Sequence, residues 1–453
     1  MWRIVRRVGF LAVAAACAIT TMALAPSEPA GWRVTDHARL ADIAPVEVAA
    51  FIASHAGLAP EAFSADPAVV AGWWSSVTRA EQKRLTGRMP EVIGNLAGVD
   101  FASRNTANRA ELIRDLAAAS VALTRNPADL SAVQQLAALQ AIQGALGVRG
   151  NGKRYLVELT SDRPPLASIA IGSLDTARLV TFVVPGMGTL STDMQLWTRA
   201  AQNVYDAQGA AGATKRRAVI AWMGYRTPPA GMDATRDTYA TRGALLLERD
   251  ISGLRAARGT REQPVVNVVA HSYGATTAAL ALSQSDLGVA AFVMLGSAGV
   301  DTHITSVLDL HAARVYVAEA TADQEARWGR IDRRDPAQVS FGATRIPVNG
   351  ANGLLGVTGH EPIVHSPWND DPGSPLWTQY ADAHRDDLYA SHMASEGYLD
   401  PGTQSLAGIG RAITPTLTRH HTTRGPESAA IPAPPTNAEG DPALAESPSV
   451  WIG

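Results

Sequence analysis

The chain has 453 residues, 46% of them hydrophobic and 18% charged, with 39 Lys+Arg against 42 Asp+Glu and one cysteine. That much apolar material builds a core, so a mainly disordered chain is excluded, and the length suits two or three domains. A formal charge of -3 gives no electrostatic reason to expect DNA or RNA. The lone Cys17 excludes an internal disulfide and a multi-thiolate zinc site. Lys83, Lys153 and Lys215 are the only lysines, and none adjoins the motifs below, which disfavours Schiff-base chemistry.

The N-terminus reads as an export segment over residues 1–30. Arg3, Arg6 and Arg7 precede an uncharged run from Val8 to Ala25, at the border between a signal h-region and a short membrane span. Ala23-Leu24-Ala25 has the small-x-small form of a cleavage site, although Pro26 would follow the cut. The expectation is a secreted or membrane-anchored protein, with a signal peptide or an N-terminal tether.

Residues 31–150 form an all-helical region. Pro45 can open one helix, and Thr78 to Glu81 fits a capping box at another. Leu112, Leu116, Ala119 and Leu123 recur at helical spacing, as do Val133, Leu136, Ala137 and Leu139. After Gly150-Asn151-Gly152 the texture changes. β-Branched runs at Arg154–Leu159, Leu179–Val184, Ala218–Trp222, Val265–Ala270, Ala290–Leu295 and Val315–Ala318 alternate with helical patterns. That alternation predicts βαβ units and a mostly parallel sheet with helices on both faces over residues 151–415. The Pro/Ala-rich residues 416–453 read as a disordered tail.

The chemistry centres on Ala270-His271-Ser272-Tyr273-Gly274, where a buried strand runs into a small-residue helix. This is the setting of a nucleophile elbow, with Ala in place of the first Gly of G-x-S-x-G. Small flanking residues are needed because the turn is tight, and Ala270 and Gly274 qualify. A serine nucleophile needs a base and an orienting carboxylate, in the chain order Ser, acid, His on such a fold. Asp323, just past the strand that starts at Arg314, is the expected acid; Asp301 and Glu319 are weaker alternatives. His392, in a loop before a final helical run, is the expected base, and His365 is the second choice. The backbone amides of Tyr273 and Met187 are the expected oxyanion donors, with Gly186 allowing close approach. Trp222 and Tyr225, in an aromatic turn at a strand end, are candidates to line an acyl pocket beside Gly186. No metal site is expected, since His360, His365, Asp370 and Asp371 lie in Pro-containing loop sequence, and no cofactor is implied.

Further motifs carry a resemblance to a family: Pro90-Glu-Val-Ile-Gly-Asn-Leu-Ala-Gly-Val99, Arg104, Ala107-Asn-Arg109, Val184-Pro-Gly-Met-Gly188, Ala221-Trp-Met-Gly-Tyr225, Gly296-Ser-Ala-Gly299, Phe341-Gly-Ala343 and Tyr398-Leu-Asp-Pro-Gly-Thr-Gln-Ser-Leu406. Together with the elbow, they make residues 70–415 resemble the α/β-hydrolase domain family of actinobacterial proteins once catalogued as a domain of unknown function. The resemblance implies an α/β-hydrolase fold and triad roles for Ser272, Asp323 and His392. One departure stands out: in the family the histidine lies close before the matching tyrosine, whereas His392 stands six positions before Tyr398. The expected activity is that of an exported serine esterase or lipase acting on a small-molecule or lipid ester through an acyl-enzyme. An acyltransferase on the same triad, or a non-catalytic binding protein on this scaffold, are the alternatives.

Overall fold

The computed structural model describes residues 58–64, 66–148, 150–378 and 385–414. The expected export segment, the helix expected from Pro45 and the expected Pro/Ala-rich tail lie outside the described residues. No helix among the described residues is long and apolar enough to cross a membrane.

Five helices lead in: α1 (Pro67–Ser76), α2 (Arg79–Arg88), the single turn α3 (Pro90–Ile93), α4 (Phe101–Arg125) and α5 (Leu130–Ala145). Short polar residues start four of them. Asp66, Thr78, Asp100 and Asp129 each accept a hydrogen bond from an otherwise unpaired amide in the first turn. The expected reciprocal box at Thr78 is only half formed, because Glu81 turns outward to the Arg84 guanidinium instead of reaching back.

Eight strands make one sheet: β1 (Arg154–Leu159), β2 (Ala167–Ile171), β3 (Leu179–Val184), β4 (Arg217–Met223), β5 (Val265–His271), β6 (Val289–Leu295), β7 (Val315–Ala318) and β8 (Thr344–Arg345). Their order is β1-β2-β4-β3-β5-β6-β7-β8. Only β2 runs antiparallel to its two neighbours; every pair from β4 through β8 is parallel. The six expected strands are present. The two additions gave weaker signals, since β2 (Ala-Ser-Ile-Ala-Ile) is half small residues and β8 has two exposed ones.

The strands' two-residue alternation separates two cores. On one face Val180, Phe182, Val184, Val268 and Ala270 pack with α7 (Thr238–Arg258) and α8 (Tyr273–Gln284). On the other, Val183, Val269, Val293 and Leu295 meet α5 and α6 (Met194–Ala210). The short α9 (Glu325–Trp328), α10 (Pro375–Thr378) and α11 (Arg385–Met393) follow β7 and β8, and α12 (Gln404–Ala412) closes the second face. Leu112 and Ala119 of α4 share that core, so the leading helices are packed directly on the sheet.

The helical region has a specific task at the sheet's edge. Edge strand β1 would leave main-chain groups unpaired, an invitation to aggregate. Asn95 instead donates to the Leu159 carbonyl at 2.7 Å and accepts from the Leu159 amide at 2.9 Å. Asn105 accepts from the Leu156 amide, Asn108 donates to the Leu156 carbonyl, and Arg109 donates to the Arg154 carbonyl. Side chains thus stand in for a ninth strand. Asn95→Ala leaves a buried N–H and C=O at Leu159 without partners and is expected to cost about 2 kcal/mol or more. Urea unfolding checks this; an unchanged midpoint would mean water replaces Asn95 without loss.

Candidate active site

The parallel strands all end on one rim, and the reactive side chains gather there. Between β5 and α8, Ser272 adopts φ 53° and ψ −124°, a left-handed backbone unusual for a residue with a β-carbon. The surroundings hold it there. Its amide donates to the Leu295 carbonyl at 2.9 Å, and its carbonyl accepts from Ala275 at 3.0 Å and Ala298 at 3.3 Å. A β-carbon on Gly274 would stand 2.5 Å from the Pro185 carbonyl oxygen, so only glycine lets α8 approach the β3 loop. Ala270, fully buried, takes the place of the usual glycine before the elbow without a clash of its own.

Ser272 Oγ lies 2.9 Å from Nε2 of His360. On the far side of that ring, Nδ1 lies 2.9 and 3.0 Å from the two carboxylate oxygens of Asp323. Asp323 has no exposed surface, and its charge is held by the Ala326 amide at the start of α9 and by the Tyr398 hydroxyl at 2.8 Å. Burial pushes the Asp323 carboxyl upward, but its bond to His360, that histidine's charge and these donors outweigh burial and hold it below the usual range. Burial likewise opposes the His360 imidazolium; the bond and charge of Asp323, with Glu325 and Glu361 beyond, prevail and raise it. Burial and the adjacent Asp323 charge push the Tyr398 phenol up, so it remains a donor.

Two neighbours position this line. His271 is held neutral, its pKa lowered to about 3 chiefly by burial and then by the His360 charge. Its Nε2–H therefore donates to the His360 carbonyl at 2.7 Å. Gly296 has φ 49°, and a β-carbon there would sit 2.6 Å from Asp323 Oδ2. The Gly296-Ser-Ala-Gly motif is the floor on which acid and base meet.

The structure brings Ser272 and Asp323 to one site and joins them through His360, not through the expected His392. His392 lies on α11, with Nε2 2.9 Å from Asp370. His365, the second choice, is also engaged by Asp370, at 3.0 Å. Asp301 makes a local turn with His303, and Glu319 pairs with Arg330. The reason for the misplaced base is an excursion of the chain between Val364 and Glu396. Asp400 pinches its base shut by accepting from the amides of Val364, His365 and Gly397. Across that pinch the Tyr398 amide donates to the Glu361 carbonyl at 3.1 Å. Histidine and tyrosine are therefore neighbours in space, as the family resemblance implies, though 38 positions apart in the chain. A signal existed: removing the loop-like stretch before Gly397 brings His360 close before Tyr398.

Of the expected oxyanion donors, Tyr273 opens α8, and Met187 follows Gly186, whose own β-carbon would stand 2.7 Å from that of Ser272. Neither amide is spent in a turn or loop hydrogen bond among the described residues. Gly186 thus lies directly against the serine. Trp222 and Tyr225 do not line a pocket there. Trp222 is fully buried with Nε1 2.6 Å from Asp250, and Tyr225 stacks on it at 5.5 Å. Large rings on strand β4 and just past it fill the core, and the Tyr225 hydroxyl donates to the Pro185 carbonyl, bracing the β3 loop from beneath.

Residues 162–331 match the family model described as "Alpha/beta hydrolase". Those residues are similar to an alpha/beta hydrolase domain, and the strand order and the elbow at Ser272 agree with that fold. The match includes Ser272 and Asp323 and ends before His360. Among its relatives is the uncharacterized protein Rv2079 of Mycobacterium tuberculosis, 29% identical over 394 residues that cover 75% of this chain and 59% of the relative. Another is the uncharacterized protein Mb0988c of Mycobacterium bovis, 26% identical over 245 residues, covering 50% of this chain and 86% of the relative. The chain thus spans 59% of the length of the first of these. Similar solved structures include a dienelactone hydrolase from Anabaena variabilis, at 14% identity and a TM-score of 0.31 over 54% of this chain and 98% of that one. A fungal esterase from Rhizomucor miehei shows 14% identity and a TM-score of 0.32 over 61% of this chain and 97% of its own.

Proposed function

We propose that the protein is an exported or membrane-tethered serine hydrolase that cleaves carboxylic esters through an acyl-enzyme. The observation that carries this reading is the continuous line from Ser272 Oγ through His360 to buried Asp323, set on a strained elbow. His360 takes the Ser272 proton as Oγ attacks the ester carbonyl, and Asp323 holds the tautomer and offsets the imidazolium charge. The amides of Tyr273 and Met187 face the developing oxyanion, aided by the positive end of α8. His360 then delivers the proton to the leaving alcohol, and water repeats the sequence in reverse. Glu325 and Glu361 lie near enough to raise His360, and their charge would disfavour an anionic acyl group beside it. The half-exposed Met187 and Leu190 offer the acyl chain apolar contact. Export rests on Arg3, Arg6 and Arg7 ahead of the uncharged run.

A fluorophosphonate probe tests the chemistry directly. The folded protein is expected to be labelled at a stoichiometry of one, with the adduct mapped to Ser272 by mass spectrometry. A folded protein that stays unlabelled would support a non-catalytic binding protein instead.

A further inference from the structure

The histidine that sequence reasoning selects as the base belongs to a second constellation, inside the chain excursion that Asp400 closes. We propose that His365 Nδ1, Asp370 Oδ1 and His392 Nε2 form a binding site for a divalent transition metal of the zinc class, which clasps this excursion.

The three atoms lie within 4.8 Å of one another and come from a loop and from α11. Both imidazole nitrogens converge on one carboxylate oxygen, at 3.0 Å for His365 and 2.9 Å for His392. Four-coordinate zinc holds N and O ligands at about 2.0–2.2 Å, which separates neighbouring ligands by roughly 3.4 Å. Entry of an ion therefore needs each nitrogen to part from the carboxylate oxygen by only about 0.4–0.5 Å, with the two nitrogens already within 4.8 Å of each other. Asp370, whose side chain is 33% exposed, has the freedom to move by that much.

A separate observation points to positive charge, from a second ring proton or a metal ion, at this place. His365 Nε2 lies 2.8 Å from the Ser395 carbonyl oxygen, which can only accept, so that nitrogen carries the proton. A neutral imidazole then has a bare lone pair at Nδ1, and this lone pair faces the Asp370 carboxylate. Two lone pairs at 3.0 Å repel unless something positive lies between them. A proton on Nδ1 supplies that charge in the metal-free state; a bound metal would take its place, with the Ser395 contact as the outer bond that ligating histidines commonly make. Further support surrounds the site. The Tyr389 hydroxyl donates to the Asp370 carbonyl at 2.6 Å, and the rings of Trp377 and Tyr389 pack beside His392. Two imidazoles and one carboxylate suit zinc or its neighbours, whereas calcium and magnesium prefer all-oxygen sets. A fourth position is left for water.

The competing arrangement is a doubly protonated His365 in a metal-free ion-pair network, and the experiment separates the two. Untagged full-length protein is stripped with a chelator, exchanged into buffer and titrated calorimetrically with zinc chloride. One equivalent should bind with a rise in Tm, and cobalt(II) should give the intense visible absorption of a four-coordinate site. His392→Gln and Asp370→Asn, each checked for cooperative thermal unfolding, should weaken zinc binding at least ~100-fold, the upper end of what even outer-sphere changes cost. Wild-type protein that takes up no zinc overturns the proposal. So does equal binding by the variants, which would assign the ion to other histidines. If a variant fails to fold, the wild-type cobalt spectrum decides: weak, octahedral-type bands reject the site.

Discussion

Ser272→Ala is expected to lower kcat for a short p-nitrophenyl acyl ester on the order of a million-fold, about 8 kcal/mol of transition-state stabilisation. Among the residues of this rim, only Ser272 offers a nucleophilic oxygen within hydrogen-bonding distance of an imidazole nitrogen that Asp323 orients. Alanine keeps the β-carbon and removes Oγ alone. The fold should therefore survive, because the elbow is held by main-chain bonds to Leu295, Ala275 and Ala298 that do not involve the hydroxyl. An unchanged Tm together with lost turnover is the expected pair of results. Residual hydrolysis within tenfold of wild type would remove Ser272 from the reaction, and the serine hydrolase reading with it. Combining Ser272→Ala with loss of His360 should add little, since residues acting as one unit are far from additive.

The elbow could be read from sequence because its determinants are contiguous. The strand Val265–His271, the serine and the helix from Tyr273 follow one another, and small residues flank the turn. Asp323 was legible for a similar reason, lying five residues beyond the end of β7. Strand β2 was missed because Ala167, Ser168 and Ala170 carry little β signal; burial and pairing with β1 and β4 decide its state. Other roles depended on packing that no local pattern encodes. Trp222 and Tyr225 look like pocket residues at a strand end, yet only the third dimension shows Asp250 and Pro185 satisfying their polar atoms. Asn95, Asn105, Asn108 and Arg109 carry no local sign of what they bind. Their actual partners are the open main-chain groups of β1, about 50 to 60 residues further along.

The base is where sequence order and spatial order part most widely, and a pair of substitutions tests the structural assignment. His360→Gln is expected to cost kcat on the order of 10⁴-fold or more, whereas His392→Gln should cost less than about tenfold. The difference follows from position: His360 bridges Ser272 and Asp323, while His392 addresses Asp370 at the outer end of the excursion. The reverse ranking would place the reaction at α11 and overturn the rim assignment. The pH profile supplies an independent readout. Attack needs neutral His360, and its Asp323 partner raises its pKa above that of a free imidazole. The acid limb of kcat/KM should therefore lie above the pH at which a free histidine side chain titrates, with activity lost as pH drops through it. Asp323→Asn removes the chief raising influence while burial remains, so in that variant the limb should move to lower pH as the rate collapses. In His392→Gln the limb should stay where it is in wild type, because none of the groups that set the His360 pKa lies on α11. A limb that shifts with His392 and ignores Asp323 would mean that the titrating base is not the histidine touching Ser272.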